Sequence, residues 1–238
     1  MQIIGIIPAR YESTRFPGKP LANILGKSMI QRVYEQCKKS KKLNDVIVAT
    51  DDKRIMDHVE GFGGNVIITS VNHKSGTDRC NEVINTLKKE YDIIVNIQGD
   101  EPCINPKQID KLVELFSDTK IQIGTLAKKI TKTTEIKDVN TPKVLFHPQT
   151  NFVIDFNRKI NSTYIEKEIF KHIGIYAYRK NVINEICSLN ETAREKEEKL
   201  EQLRWLENGY KIKIGITKLN SLSVDTPNDI EKIEKNII

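Results

Sequence analysis

The first group of residues able to do chemistry lies in the loop IPARYESTRFPGKP, residues 7–20. It places Arg10, Arg15 and Lys19 on a short segment whose prolines restrict the backbone. Arginine offers forked hydrogen bonds to phosphate and lysine offers a point charge, so the loop has the composition to bind a polyphosphate. The same composition also fits a basic surface loop, and both interpretations stay open on these residues alone.

Carboxylates follow two other short apolar runs. Asp100 and Glu101 lie in QGDEP at 98–102, and Asp225 lies in SVDTP at 223–227. Mg²⁺ prefers carboxylate oxygens together with substrate phosphates, so Asp100 and Asp225 are candidate metal ligands. The alternative is that these acids cap helices, because aspartate is a favoured N-cap residue.

Further polar groups have two open interpretations each. SGTDR at 75–79 supplies hydroxyls, backbone amides and an arginine at a helix start, which suits an anion, a base edge or a plain capping turn. His172 lies in the strand-like HIGIYAY, and Glu201 and Gln202 lie on a leucine-rich helix. These three side chains are either binding groups or ordinary packing and solvated residues.

Strand–helix alternation in the first hundred residues provides elements that would position these groups. Short β-branched runs without polar alternation predict strands buried on both faces, and segments with a 3.6-residue apolar period predict helices. The predicted strands span 2–8, 45–50, 65–69 and 92–98, and the predicted helices span 28–40, 51–64 and 77–90. This order predicts an α/β fold with a parallel, doubly wound sheet, in which ligands bind at the carboxyl ends of the strands.

The second half of the chain has a less regular pattern. It predicts strands near 122–130, 143–147, 151–156, 172–178 and 211–217, and helices at 106–117, 180–188, 193–207 and 227–236. No linker-like or low-complexity stretch divides the sequence. We therefore predict a single domain over residues 1–238 that carries a β-rich insertion between about 120 and 180.

Composition limits the class of protein. Of the 238 residues, 38% are hydrophobic and 29% are charged, and no apolar run reaches the ~18 residues of a membrane helix. Cysteines 37, 80, 103 and 187 are scattered, which predicts a reduced, cytoplasmic protein rather than a disulfide or zinc framework. The net charge of +6 would fit a nucleic-acid binder, but scattered surface lysines explain most of it. We predict neither nucleic-acid nor membrane binding.

Taken together, the segments resemble one family, the 3-deoxy-manno-octulosonate (Kdo) cytidylyltransferases, also called CMP-Kdo synthetases. The motifs occur in the family's order across residues 3–227: IPARYESTRFPGKPL, VATDD, SGTDR, VNIQGDEP, KHIGIYAYR, LEQLRWLE and VDTP. The resemblance implies a nucleotide-diphospho-sugar transferase-like (Rossmann-like) α/β sandwich of three layers with a predominantly parallel sheet. It also implies an enzyme that uses CTP, Kdo and Mg²⁺ and that is usually a homodimer.

The resemblance further implies roles for individual residues. The residues expected to bind the nucleotide are Arg10, Arg15, Lys19, Ser75, Thr77 and Arg79. The residues expected to ligate Mg²⁺ are Asp100 and Asp225, which with Lys19 and Arg10 would form the catalytic group. The residues expected around the sugar acid are Gln98, Arg158, His172, Tyr176, Glu201 and Gln202.

The sequence departs from the family at residues 156–171. FNRKINSTYIEKEIFK replaces a longer segment that usually reads FSR followed by an Ile-Pro, and Asn157 stands where serine is usual. One branch of the family uses the 8-amino analogue of Kdo, and this segment leaves that branch open. The expected reaction transfers CMP from CTP to the anomeric hydroxyl of Kdo and releases pyrophosphate, for lipopolysaccharide or capsule synthesis. The alternative substrates are 8-amino-Kdo or another sugar acid.

Overall fold

The computed structural model describes residues 1–12, 15–160, 168–220 and 222–237. The chain forms two compact units, which we call unit 1 (Met1–Asp110 with Ser221–Ile238) and unit 2 (Lys111–Asn220). The chain therefore leaves unit 1, builds unit 2 and returns to unit 1. The predicted single domain over 1–238 stays a prediction. No helix of the described part is both long enough and apolar enough to span a membrane.

The elements follow the predicted order closely. In chain order the strands are β1 (Ile3–Ala9), β2 (Asn23–Ile24), β3 (Lys27–Ser28), β4 (Asp45–Thr50), β5 (Val66–Ile68), β6 (Ile93–Asn96), β7 (Ile123–Lys129), β8 (Lys143–Phe146), β9 (Val153–Asn157), β10 (Phe170–Arg179) and β11 (Ile212–Ile216). The helices are α1 (Met29–Lys38), α2 (Lys53–Gly61), α3 (Gly76–Thr86), α4 (Pro106–Glu114), α5 (Thr133–Lys137), α6 (Lys180–Cys187), α7 (Ala193–Glu198), α8 (Gln202–Glu207) and α9 (Asn228–Ile237).

In unit 1, strands β6, β1, β4 and β5 lie side by side in that order and are all parallel. In β1, residues 3–7 are all buried, which explains why this strand shows no polar alternation. Because the strands are parallel, Ala9, Thr50 and Asn96 end at the same edge of the sheet. The predicted parallel α/β arrangement is confirmed.

The helices of unit 1 begin at side chains that the sequence makes good caps. The Oγ of Ser28 accepts a hydrogen bond from the backbone N–H of Gln31 at 3.2 Å, so α1 starts directly after β3. The Oδ1 of Asp52 accepts from the backbone N–H of Arg54 at 2.9 Å and starts α2. Each cap satisfies an N–H that has no partner within its own helix.

Unit 2 contains the predicted β-rich segment. β7 pairs in parallel with β11 and antiparallel with β10. β8 pairs antiparallel with both β10 and β9, which adds the antiparallel hairpin to an otherwise helix-covered unit. Its buried aromatic residues include Phe156, Tyr178 and Trp205.

One predicted helix, 193–207, is two helices. The chain breaks between α7 and α8 at Lys199, which has a left-handed backbone with φ of 52°. The break turns Leu200 inward, where its exposed fraction is 6%. The leucines of this segment, Leu200, Leu203 and Leu206, all follow Lys199, so their helical spacing could not reveal a break before them.

Candidate active site

The carboxyl edge of the parallel sheet in unit 1 opens into a cavity of about 280 Å³. Its walls come from the loop after β1, the N-terminus of α3, the turn after β6 and the segment before α9. The cavity lies at the edge where ligands of parallel sheets are expected. The predicted site residues in its lining are Arg10, Arg15, Lys19, Ser75, Arg79, Gln98, Asp100 and Asp225.

Lys19 joins three distant parts of the sequence on the cavity wall. Its Nζ donates to Oδ2 of Asp100 at 2.7 Å and to the carbonyl oxygen of Val224 at 3.0 Å. The backbone N–H of Val224 donates in turn to the carbonyl oxygen of Asp100 at 2.9 Å. These bonds fix the turn after β6 against the segment that carries Asp225, so both predicted metal ligands share one wall.

A second ion pair of the cavity is more exposed. Nη2 of Arg15 lies 3.0 Å from Oδ1 of Asp225, and the two side chains are 68% and 48% exposed. The side chains of Lys19 and Asp100 are 18% and 28% exposed. Exposed ion pairs contribute little net stability, so a bound anion can replace Asp225 as the partner of Arg15 at small cost.

Two glycines shape the loops that carry these charges. A Cβ on Gly99 would lie 2.8 Å from the carbonyl oxygen of Pro8, so only glycine lets the turn approach the end of β1 this closely. Gly18 has φ of 69°, a left-handed conformation, and precedes the short 3₁₀ helix Lys19–Leu21. Its conformation directs Lys19 toward the turn.

The SGTDR segment divides into cavity and interior residues. Ser75 caps α3, with its Oγ accepting from the backbone N–H of Asp78 at 3.1 Å, and the cap faces the cavity. Arg79 is 4% exposed and donates from Nη2 to Oδ2 of Asp51 at 2.7 Å and from Nη1 to Thr69. Thr77 is 1% exposed and is not part of the cavity lining, so the structure does not bring it to the predicted site.

In unit 2, His172 is held as a neutral donor. The Oγ1 of Thr125 lies 2.7 Å from the carbonyl oxygen of Ile175 and 2.9 Å from Nε2 of His172. The single hydroxyl proton goes to the carbonyl, so Nε2 carries the proton of the imidazole and donates to Thr125. Burial lowers the pKa of His172 to about 3, which keeps the ring uncharged near neutral pH.

Tyr176 lies against the same imidazole because β10 is irregular. Its pairing with β7 shifts between Ile173 and Tyr176, and the ring centroids of His172 and Tyr176 are 5.2 Å apart. In a regular strand four residues would span roughly 13 Å. The Tyr176 hydroxyl is buried and has no hydrogen-bond partner among the described residues. Burial, with the charge of Glu201, raises the pKa of Tyr176 well above its usual value, so the phenol keeps its proton as a donor.

The other predicted sugar residues of unit 2 have different environments. Arg158 donates to the carbonyl oxygens of Glu198 at 2.5 Å, Lys199 at 3.3 Å and Val139 at 3.2 Å. Its guanidinium thus caps the end of α7, where helix carbonyls lack partners. Gln202 is 5% exposed on α8.

Comparison with known proteins agrees with this geometry. The sequence model of the cytidylyltransferase family matches residues 4–214. The chain belongs to the cytidylyltransferase family. It is 51% identical over 98% of its length to a 3-deoxy-manno-octulosonate cytidylyltransferase of Parabacteroides distasonis, of which it covers 96%. The predicted family and the predicted nucleotidyltransferase class are therefore confirmed.

Two more similar proteins, one known by sequence and one by its solved structure, are cytidylyltransferases or synthetases of the same kind of product by name. An 8-amino-3,8-dideoxy-manno-octulosonate cytidylyltransferase of Shewanella sp. (strain W3-18-1) is 45% identical over 100% of this chain and 99% of its own. A solved structure of CMP:2-keto-3-deoxy-manno-octonic acid synthetase complexed with CTP superposes with a TM-score of 0.93 at 37% identity. The superposition covers 100% of this chain and 98% of the chain in the solved structure. The predicted fold class is confirmed.

The carboxylates of the cavity fit a metal that arrives with a nucleotide. Within the described residues no group of three or more His, Cys, Asp or Glu side chains could hold a metal ion by itself. Asp100 and Asp225 supply two carboxylates on one wall. Mg²⁺ is usually bound through one or two carboxylates, water and substrate phosphates, so this donor set is suitable.

Two residues of the cavity lining, His73 and Lys74, were not predicted from the sequence. Nε2 of His73 pairs with Oε2 of Glu82, which also accepts from the backbone N–H of Ser70 at 2.9 Å. The hydrogen bond from His73 is the main cause of the lowered pKa of Glu82. Both missed residues directly precede SGTDR, so their place in the chain was the signal that could have identified them.

Proposed function

We propose that this protein transfers CMP from CTP to the anomeric hydroxyl of Kdo, releasing pyrophosphate and forming CMP-Kdo. The observation that carries the proposal is one cavity in which three predicted phosphate cations meet two predicted metal carboxylates at the carboxyl edge of a parallel sheet. The names of the similar proteins from Parabacteroides distasonis and of the solved structure support CTP and Kdo as substrates.

The cations would act by binding and orienting the triphosphate. Arg10 and Arg15 can each present forked N–H groups to phosphate oxygens, and Lys19 adds a compact charge. A bound triphosphate gives Lys19 and Arg15 new partners and so releases Asp100 and Asp225 from their ion pairs. The sugar hydroxyl attacks the α-phosphorus in line, and most of the rate enhancement comes from positioning and charge neutralisation.

We propose Mg²⁺ as the cofactor, held by Asp100 and Asp225 together with CTP phosphates. The metal would supply charge stabilisation at the phosphates and lower the pKa of the attacking hydroxyl. Isothermal titration of CTP with and without Mg²⁺ tests this, because the two ligands should bind together. Independent binding of CTP and Mg²⁺, unaffected by Asp225→Asn, contradicts the assignment.

We propose that the sugar acid is recognised by the residues that the family resemblance assigns to it: Gln98, Arg158, His172, Tyr176, Glu201 and Gln202. The support is chemical: Tyr176 keeps a buried hydroxyl proton with no partner among the described residues, and His172, whose Nε2–H donates to Thr125, is uncharged and so offers Nδ1 as an acceptor to a sugar hydroxyl. Of the divergent segment 156–171, residues 161–167 lie outside the described residues.

An 8-amino sugar acid is the second candidate substrate, because the Shewanella protein named for it is 45% identical over nearly the full length of both chains. A pyrophosphate-release assay with CTP and a panel of acids tests both. We expect turnover with Kdo or its 8-amino analogue and little with N-acetylneuraminate. A preference for N-acetylneuraminate contradicts both octulosonate assignments, and no turnover with CTP and any sugar acid contradicts the transferase proposal.

The wider proposal includes a homodimer that works in the cytoplasm, without nucleic acid, and supplies CMP-Kdo for lipopolysaccharide or capsule. Light scattering coupled to size-exclusion chromatography gives the mass that tests the dimer. A gel-shift titration at physiological salt should give only weak, salt-sensitive binding to nucleic acid.

A further inference from the structure

In the loop of residues 7–20, which we call the phosphate loop, one aromatic ring is covered by a side chain that lies outside the cavity lining. Cζ of Arg54, in the first turn of α2, lies 3.3 Å from the ring centroid of Tyr11. The carboxylate of Asp52 holds the same guanidinium with two hydrogen bonds, Nε to Oδ1 at 3.0 Å and Nη2 to Oδ2 at 2.6 Å. The edge of the Arg54 guanidinium is therefore held by Asp52, and its face lies on the ring of Tyr11.

Tyr11 in turn fixes the two ends of the phosphate loop. Its carbonyl oxygen accepts a hydrogen bond from the backbone N–H of Gly18 at 2.9 Å. Its ring lies beside the same glycine, since a Cβ on Gly18 would be 3.1 Å from the ring Cζ and hydroxyl oxygen. The residues next to these two anchors in sequence are Arg10 and Lys19, both in the cavity lining.

We propose that Arg54 is a positioning residue that holds the phosphate loop in its triphosphate-binding conformation by stacking on Tyr11. The inference rests on the proposed function, because it assumes that this loop binds the phosphates of CTP. The stack orders Tyr11, the backbone bond from Gly18 orders the loop, and the loop presents Arg10 and Lys19 to the cavity. Ordering these side chains in advance lowers the entropy lost when the ligand binds.

The chemistry of the contact requires arginine. A guanidinium can donate hydrogen bonds from its edge to a carboxylate and stack its face on an aromatic ring at the same time, whereas an ammonium cannot. Arg54→Lys would therefore retain the charge and lose the stack. Arg54→Ala would remove both but keep the cap of α2, because Asp52 accepts from the backbone N–H of residue 54.

The experiment measures the Kd of CTP by calorimetry and the KM values of CTP and Kdo for wild type, Arg54→Ala and Arg54→Lys. We expect both variants to raise the Kd and KM of CTP about three- to tenfold. We expect kcat and the KM of Kdo to stay within about twofold. The matched control is Lys53→Ala. Lys53 directly precedes Arg54 on the same helix, its side chain is 82% exposed, and in the described structure it pairs only with Asp57.

A double-mutant cycle assigns the effect to the ring. Tyr11→Leu should weaken CTP binding as Arg54→Ala does, and combining the two should add little, because both remove the same contact. Tyr11→Phe keeps the ring and should bind CTP like wild type. Full restoration by Arg54→Lys, additive effects in the cycle, or unchanged CTP binding in Arg54→Ala would each overturn the proposal. Failure of wild type itself to bind CTP would instead overturn the proposed function.

Discussion

One ion pair in the cavity of unit 1 and one ion pair in unit 2 differ in exposure. In the cavity of unit 1, Arg15 and Asp225 are 68% and 48% exposed, and each offers its charge to solvent. In unit 2, Arg204 and Glu195 are 9% and 10% exposed and joined by two hydrogen bonds, at 2.8 and 2.5 Å. A charge that must bind a charged ligand has to remain accessible, whereas a charge that stabilises a fold can be enclosed. On this ground we treat Arg15–Asp225 as a candidate binding pair and Arg204–Glu195 as a structural pair.

The largest effect should come from the cavity carboxylates. Asp100→Asn and Asp225→Asn should each lower kcat at least ~100-fold, about 3 kcal/mol of transition-state stabilisation, because each removes a proposed metal-ligating charge. Their midpoints of unfolding should move little, since both pairs contact water. Steady-state kinetics over a range of Mg²⁺ concentrations checks this.

The matched control for those variants is Asp57→Asn, which removes a carboxylate paired with Lys53 at 2.6 Å on the surface of α2. It should retain wild-type kinetics. Near-wild-type activity of either cavity variant at limiting Mg²⁺ would show that the residue is not part of the metal site. The exposed pair of the cavity would then have no functional difference from the enclosed pair of unit 2.

The reverse pattern is expected for the enclosed pair of unit 2. Glu195→Gln should lower the free energy of unfolding by about 3 kcal/mol, because it removes the carboxylate charge that pairs with the buried guanidinium of Arg204. Urea unfolding at constant pH measures the loss. A change below about 1 kcal/mol would show that this pair resembles the exposed pairs of the cavity.

Substrate selectivity sharpens the comparison further. Gln202→Ala should reduce kcat/KM for Kdo roughly 10- to 100-fold, for one or two lost hydrogen bonds, with little change in the KM of CTP. Asn208→Ala, at the exposed end of α8, is the control. An equal loss for both substrates would indicate that Gln202 supports the fold rather than the sugar.

Lys19→Ala should show the opposite selectivity. We expect the KM of CTP to rise roughly tenfold, because a charge-assisted contact to phosphate is lost, while the KM of Kdo hardly changes. Lys27→Ala is the control, since Lys27 forms an exposed pair with Glu35 at 2.6 Å. A selective rise in the KM of Kdo would reverse the assignment of the phosphate loop.

The smallest effect concerns the pH dependence of stability. Unfolded histidine titrates near pH 6.5, but in the native state the pKa of His172 is lowered to about 3 by burial. Between these values the unfolded state binds a proton that the native state does not, so stability falls as the pH falls, by at most about 1.4 kcal/mol per pH unit. Above pH 6.5 this contribution is fully present.

The variant His172→Gln isolates that term, because it keeps a donor in place of Nε2 but does not titrate. Its free energy of unfolding should lose about 1.6 kcal/mol less than wild type between about pH 6.5 and about pH 5. Parallel pH profiles for the two proteins would show that the imidazole takes up its proton over the same pH range in the native state as in the unfolded state.

The sequence predicted the strands of both units except the two-residue β2 and β3, and it predicted charged residues that line the cavity, because each rests on local patterns. Buried β-branched runs, such as that of β1, and cations between prolines are visible in a short window. What depends on distant parts of the chain was not visible: the contact of Lys19 with Val224, the stacking of Arg54 on Tyr11 and the break at Lys199. The SGTDR segment shows both cases, since a helix beginning in it was predicted, but the cap at Ser75 in place of a start at residue 77 and the burial of Thr77 were not.

The order in which unit 1 is assembled has a consequence for protein synthesis. The segment that carries Val224 and Asp225 is translated only after the whole of unit 2, yet it closes the cavity built by the first hundred residues. During synthesis, the strands of residues 1–100 are therefore made before Val224. Until Val224 is translated, Lys19 has no bond to its carbonyl oxygen and the carbonyl oxygen of Asp100 has no bond from its N–H. Since domains generally fold as they emerge, unit 2 can finish before the unit that precedes it. A stalled or prematurely terminated chain would contain most of the structure but not the assembled cavity.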